Sequence, residues 1–232
     1  MIQHSKIFEQ SQNNIIMDIQ QKDFIERKQY MQQLRNLKDQ NIIKVITGVR
    51  RCGKSTLLMM FANDIIKGGV DTNQIQFYNF EDLDTLSIGD IYQIHTHIKK
   101  RLINDKMNYI FLDEVQNIKD FQLLVDSLYI KPNVDIYITG SNAYMLSGEL
   151  ATLLTGRYVE INLLPLQFAE YYNFISSKSP NLSKNEILAN YIHFGDTTLL
   201  EQIFSTIILY LPLFIFLGLS LARALSSALF PQ

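Results

Sequence analysis

Gly48-Val49-Arg50-Arg51-Cys52-Gly53-Lys54-Ser55-Thr56 has the form G-x-x-x-x-G-K-[ST], the spacing of a loop that wraps phosphate groups. Ahead of it, Ile42-Ile43-Lys44-Val45-Ile46-Thr47 is a β-branched run that reads as a buried strand; behind it, Leu57-Leu58-Met59-Met60-Phe61-Ala62 reads as helix. Glycine at 48 and 53 lets the backbone curl, so that successive N–H groups point inward at phosphate oxygens. A helix beginning near Lys54 adds the positive end of its dipole. Lys54 supplies a point charge for the β- and γ-phosphates of a nucleotide, and the Ser55 hydroxyl can ligate Mg²⁺. Arg50 and Arg51 either raise the local positive potential or are solvated at the loop tip. Cys52 reads as a small filler inside the loop.

Outward from this loop the chain alternates. A helical spacing runs from Asp18 to Gln40 through Phe24, Ile25, Tyr30, Met31, Leu34 and Leu37. After the loop helix, which should stop at Gly68-Gly69, strands are expected at 74–80, 109–114, 135–139 and 158–163. Helices are expected at 88–102, 121–129 and 143–154 between them. Alternating strands and helices predict a parallel sheet with helices on both faces, an α/β/α arrangement of five strands. In such a sheet ligands bind at the carboxyl ends of the strands, which is where the polar motifs fall.

The second of these motifs is Tyr109-Ile110-Phe111-Leu112-Asp113-Glu114. Four apolar residues hold Asp113 at a strand tip, where a carboxylate can bind Mg²⁺ through its water shell. Glu114 can then polarise an attacking water. The bland reading has both acids capping a helix or facing solvent. Ser141 and Asn142 end the next strand; they either hold the water or contact the γ-phosphate, or make an ordinary turn, which these residues also favour. Arg157, just before the fifth strand, either reaches a neighbouring subunit's γ-phosphate or forms a packing ion pair on its own subunit.

Composition narrows the setting. The chain has 232 residues, 47% of them hydrophobic, enough for one sizeable core. A net charge of −2 advertises no global basic field for nucleic acid. The single cysteine excludes a disulfide framework and suits a reducing compartment, so a cytoplasmic location is expected. His95 and His97 lie two apart on a helix and face different directions, and no zinc-ligand spacing occurs.

Taken together, the phosphate loop, Phe111-Leu112-Asp113-Glu114-Val115-Gln116, Thr139-Gly140-Ser141-Asn142-Ala143 and Leu154-Thr155-Gly156-Arg157-Tyr158 resemble the bacterial and archaeal AAA-type ATPases of the AAA domain 14 kind. The resemblance covers roughly residues 18–195. It implies an additional-strand P-loop fold, in which the strand carying Asp113 is separated from the phosphate-loop strand by the strand ending at Ser141. It also implies Mg-ATP as ligand. Lys54, Ser55 and Thr56 carry over as phosphate and Mg²⁺ contacts, Asp113 as the Mg²⁺ partner, Glu114 as catalytic base, and Ser141-Asn142 as the sensor segment. Arg157 matches the family's Gly-Arg. The implied organisation is a mobile leader at 1–17, an ATP-binding domain at 18–165, the start of a helical lid at 166–195 and an atypical apolar helical tail at 196–232.

Family members usually continue into a helical part and a second domain. Tyr191-Ile192-His193-Phe194-Gly195 resembles the start of that continuation, but Asp196-Thr197-Thr198 stands where a Gly-Gly-Phe-Pro-like sequence is expected. Beyond Gly195 the only charged residues are Asp196, Glu201 and Arg223, and lysine and asparagine vanish. Residues 203–222 are long enough to cross a ~30 Å hydrocarbon core. Three readings of the tail compete: a membrane anchor holding the ATPase at the inner face, a helix buried against a partner, and an out-of-frame remnant, which the abrupt change of composition favours.

Three functions follow in order. The first is a Mg-dependent ATPase that couples hydrolysis to conformational change, acting as a homo-oligomer on a nucleic-acid or protein client. The second is a nucleotide-binding module without turnover. The third is a membrane-attached switch.

Overall fold

The computed structural model describes residues 15–17, 19–140, 154 and 156–192. Its strands are β1 (Ile43–Thr47), β2 (Ile75–Asn79), β3 (Asn108–Asp113), β4 (Val134–Thr139) and β5 (Tyr158–Asn162). Its α-helices are α1 (Lys28–Leu37), α2 (Lys54–Lys67), the single turn α3 (Leu83–Leu86), α4 (Ile91–Lys100), α5 (Phe121–Tyr129) and α6 (Phe168–Lys178). Residues 184–192 are also helical.

All five strands run parallel in the order β2-β3-β4-β1-β5. β4 therefore lies between β1 and β3, the additional-strand arrangement that the resemblance implied. The placement matters because it lines up three strand tips. Ile46 of β1 is opposite Thr139 of β4, Leu112 of β3 is opposite Ile138, and Asp113 is opposite Asn79 of β2.

Parallel strands need cover on both faces, and the period of two in the sequence supplies it. Ile43, Val45, Tyr78, Ile110, Leu112, Ile136 and Ile138 face one way and pack against Ile91, Ile94 and Ile98 of α4 and Phe121, Leu124, Val125 and Leu128 of α5. Ile46, Phe77, Tyr109, Phe111, Tyr137 and Ile161 face the other way, against Tyr30, Met31 and Leu34 of α1 and Leu57, Leu58, Phe61 and Ile65 of α2. The ring of Tyr137 stacks on Phe111 at 5.0 Å and touches Phe61 at 5.2 Å. A three-layer α/β/α domain results.

Several expectations are revised. The helical spacing over 18–40 becomes helix at 19–21, irregular chain at 22–27 and the helix Lys28–Leu37. Arg27, at the N-cap, is buried. It donates from Nε to Glu170 at 2.9 Å and from Nη2 to the Leu164 carbonyl at 2.8 Å. These long-range bonds override the local amphipathic pattern. At the other end, Lys38 leaves the helix with ψ 140° and Asp39 is left-handed at φ 61°. The helix expected from 88 begins instead at Ile91, behind a capping box in which Asp90 and Gln93 satisfy each other's backbone N–H groups. The helix expected at 143–154 lies outside the described residues apart from Leu154, which is in a turn.

The chain divides into two compact units, Met1–Glu170 and Tyr171–Gln232. In the second, the rings of Tyr171 and Tyr191 meet at 5.5 Å. The apolar stretch 203–222 is outside the described residues. Among the described residues no helix is long and apolar enough to cross a membrane.

Candidate functional site

The loop after β1 is shaped by its glycines and by one close approach. A Cβ on Gly48 would lie 2.5 Å from the Leu163 carbonyl oxygen and 2.7 Å from Cys52 Sγ, so only hydrogen fits there. Gly53 is left-handed at φ 98° and forms the N-cap of α2, and its carbonyl accepts the N–H of Leu57 at 2.8 Å. Arg51 also takes positive φ, 65°. Arg50, Arg51 and Thr56 are exposed, Ser55 is half-buried, and Cys52 and Lys54 are buried. Burial pushes the Cys52 thiol up, so it is a neutral filler beneath the loop.

Lys54 is the first residue of α2, and the helix start aims its side chain across the tips of β1, β4 and β3. Its Nζ lies 3.3 Å from Glu114 Oε1 and 3.5 Å from the Gly48 carbonyl. Residues sixty positions apart in sequence thus meet over the phosphate loop.

Asp113 closes β3 and is 1% exposed. Its Oδ1 accepts a hydrogen bond from Thr139 Oγ1 at 2.5 Å, and the Ser55 hydroxyl lies near enough to stabilise the carboxylate. Burial pushes this carboxyl up, and the neighbouring Glu114 charge pushes the same way; the two hydroxyl donors and Lys54 pull back without cancelling the rise. A hard cation at this point would relieve the same cost. Ser55 Oγ and Asp113 Oδ are the hard oxygen donors that magnesium takes, so the residues fit that ion.

Glu114 has left-handed backbone, φ 53° and ψ 51°. A non-glycine residue is strained there, and two contacts hold it. Its N–H donates to Thr139 Oγ1 at 2.9 Å, and its Oε2 accepts from Gln116 Nε2 at 2.5 Å. The left-handed turn swings the carboxylate back toward Lys54, away from the direction a continuing strand would give it.

Thr139 is the site residue that the sequence reading left unassigned. One hydroxyl ties both acidic residues to the tip of β4. The signal was a hydroxyl ending an apolar strand next to the one that carries the acids. Ser141 and Asn142, read as the sensor pair, lie outside the described residues. Arg157 lies at the opposite, amino end of the sheet, just before β5. There its Nη1 pairs with Asp126 at 2.5 Å, both side chains about half exposed, and its guanidinium covers the Tyr129 ring at 5.7 Å. It does not meet its own subunit's loop. Of the readings open for Arg157, the ion pair on its own subunit is the one present in a single copy.

The comparisons agree with this geometry. The AAA domain profile matches residues 40–172, more than half of the chain. An uncharacterized protein of Haemophilus influenzae is 37% identical over 201 residues, which is 81% of this chain and 50% of that protein. The chain spans about a third to a half of the length of the curated relatives it matches. Among solved structures, Saccharomyces cerevisiae Hsp104 in complex with casein superposes with a TM-score of 0.55 at 15% identity, covering 72% of this chain and 32% of that one. Aeropyrum pernix Orc1 in complex with DNA gives 0.50 at 11% identity, covering 70% and 53%. At these identities the two structures speak for the fold alone. The strand order, the phosphate loop and the profile match lead to one statement: the chain belongs to the AAA domain family of P-loop ATPase domains.

Proposed function

We propose that this chain binds Mg-ATP at residues 48–56 and hydrolyses it to ADP and phosphate, with the state of the nucleotide changing which partner Lys54 keeps. The observation that carries the reading is the convergence of Lys54, Ser55, Asp113, Glu114 and Thr139 at the carboxyl ends of β1, β3 and β4. Backbone N–H groups of the loop and the α2 terminus receive the phosphates. Ser55 and Asp113 would hold magnesium, which when bound neutralises charge on the β- and γ-phosphates.

Lys54 exchanges Glu114 for phosphate oxygen, since a phosphate carries more charge than one carboxylate oxygen. Glu114, released on that side, accepts a proton from water. The water oxygen bonds to the γ-phosphorus while the bond to the β–γ bridging oxygen breaks, and ADP leaves with that oxygen. Loss of phosphate restores the Lys54–Glu114 pair. That exchange gives the strand tips two discrete arrangements, which is what coupling to a larger motion requires.

Any phosphate that Arg157 meets would be another copy's, and reaching it would require its pair with Asp126 to open. As for clients, Hsp104 is seen with casein and Orc1 with DNA; for this chain we extend the reading to a protein or nucleic-acid client. Turnover measured with DNA, with unfolded protein and with neither distinguishes the two.

The reading is tested by phosphate release from wild type and Glu114→Gln. The variant should bind ATP with wild-type affinity and release phosphate at least about a hundredfold more slowly, the scale of a lost general base. Equal, slow release by both proteins would instead make the domain a nucleotide-binding switch without turnover.

A further inference from the structure

Gln116 touches the site and has no part in the mechanism above. It lies in the single 3₁₀ turn Val115–Asn117 that follows Glu114. Val115 is fully buried and Ile118 nearly so, which pins both ends of the turn to the core under α5. The N–H of Asn117 closes the turn on the Glu114 carbonyl at 3.1 Å. The Gln116 side chain is therefore fixed relative to Glu114 by the same turn that gives Glu114 its left-handed backbone.

An ionised carboxylate only accepts hydrogen bonds, so the Gln116 amide must present its NH₂ to Glu114 Oε2. That orientation leaves Gln116 Oε1 buried with no hydrogen-bond partner among the described residues. A buried carbonyl without a donor is costly. An amide serving only to pack the turn would not need to be glutamine. The two oxygens of Glu114 also have different holders: Oε1 faces Lys54 at 3.3 Å and Oε2 faces Gln116 at 2.5 Å.

We infer that Gln116 is a positioning residue that keeps hold of Glu114 Oε2, so that Oε1, the oxygen Lys54 gives up to phosphate, is the one that faces the attacking water. The inference rests on the reading of Glu114 as general base and adds to it the choice of oxygen and the residue that makes the choice. Without Gln116 the carboxylate can rotate once Lys54 departs. Nucleotide binding, which uses the loop, Lys54 and Asp113, does not depend on that grip.

The test uses the full chain as wild type, Glu114→Gln, Glu114→Ala, Gln116→Met and Gln116→His. Methionine keeps the length of the side chain and removes the donor; histidine keeps a ring N–H. Gln116→Met should lower kcat by about 10- to 100-fold, the scale of a misaimed catalytic group, with KM and Mg-ATP affinity within about twofold of wild type. Gln116→His should recover most of that loss. A second readout needs no turnover: the side-chain NH₂ proton signals of Gln116, identified by their absence from Gln116→Met, should move on Glu114→Ala substitution in the nucleotide-free protein. If wild type hydrolyses ATP, Glu114→Gln does not, and Gln116→Met matches wild type, the inference falls while the reading of Glu114 stands. If the NH₂ signals ignore Glu114→Ala, the inference falls whatever the rates. If wild type releases no more phosphate than Glu114→Gln, the reading of Glu114 falls and takes the inference with it.

Discussion

Lys54→Ala is expected to cost about 2–5 kcal/mol of Mg-ATP binding, roughly a thirtyfold to several-thousandfold loss of affinity, the range measured when one member of a buried charge pair is truncated. Two effects add. The ammonium is lost from a 4% exposed position where water cannot replace it. The phosphates must then approach Glu114 without the ammonium that now pairs with it, and the Lys54–Glu114 contact at 3.3 Å shows how near that charge lies. Calorimetric titration of wild type and variant measures the loss, and a thermal melt of each in the absence of nucleotide separates it from unfolding. An affinity within about twofold of wild type would mean that Lys54 serves the fold and not the phosphates.

The second large effect is on stability, at the other end of the sheet. Lys44 of β1 is 0% exposed and Asp135 of β4 is 2% exposed. The Lys44 ammonium donates to Asp135 Oδ1 at 2.5 Å and to the Gln40 carbonyl at 2.8 Å. Asp135 Oδ2 accepts from the Tyr137 hydroxyl at 2.7 Å and from the Asp39 N–H at 2.9 Å. Tyr109 completes the set by donating to Asp39 at 2.8 Å. Burial pushes the Asp135 carboxyl up and the Lys44 ammonium down, and each partner's charge opposes the push on the other. Lys44→Met leaves the carboxylate buried without its cation and should cost about 3–5 kcal/mol. Lys44→Met with Asp135→Leu should recover most of this, because an apolar pair of similar volume removes both desolvation costs. Urea unfolding of the three proteins gives the values. A single variant costing less than about 1 kcal/mol would show that solvent reaches the pair.

The same pair shows where the sequence stopped being legible. Lys44 breaks an otherwise apolar run, and a lone lysine in a strand gives no hint of its partner. Asp135 lies 91 positions later and meets it only because β4 inserts beside β1. The strand order that does this is non-sequential, and no periodicity in the chain encodes it; it was reached through the resemblance. The strands themselves were plain, since alternate residues feed two different cores and each run ends in polar residues. The phosphate loop was plain for a local reason: its glycines and Lys54 act within a single turn.

The candidate site was legible in part for the same reason. Asp113 and Glu114 are marked by their place at the end of an apolar run. Thr139 is marked only by a hydroxyl that ends an apolar run, and Gln116 by nothing local, because their roles arise from where they meet those acids. The break at 22–27 was hidden likewise: Arg27 is buried by Glu170 and the Leu164 carbonyl, far along the chain. Arg157 followed a motif whose spacing is clear, yet in one copy it holds Asp126.

The measurement that bears most directly on the account is an amide ¹⁵N–¹H titration of the protein with Mg-ADP. If the loop grips the terminal phosphates, the N–H signals of residues 48–56 should undergo the largest shifts, with those of Glu114 and Thr139 following at the neighbouring strand tips. Nucleotide binding that leaves the signals of 48–56 in place while others move would contradict the account, because the phosphates would then lie somewhere else.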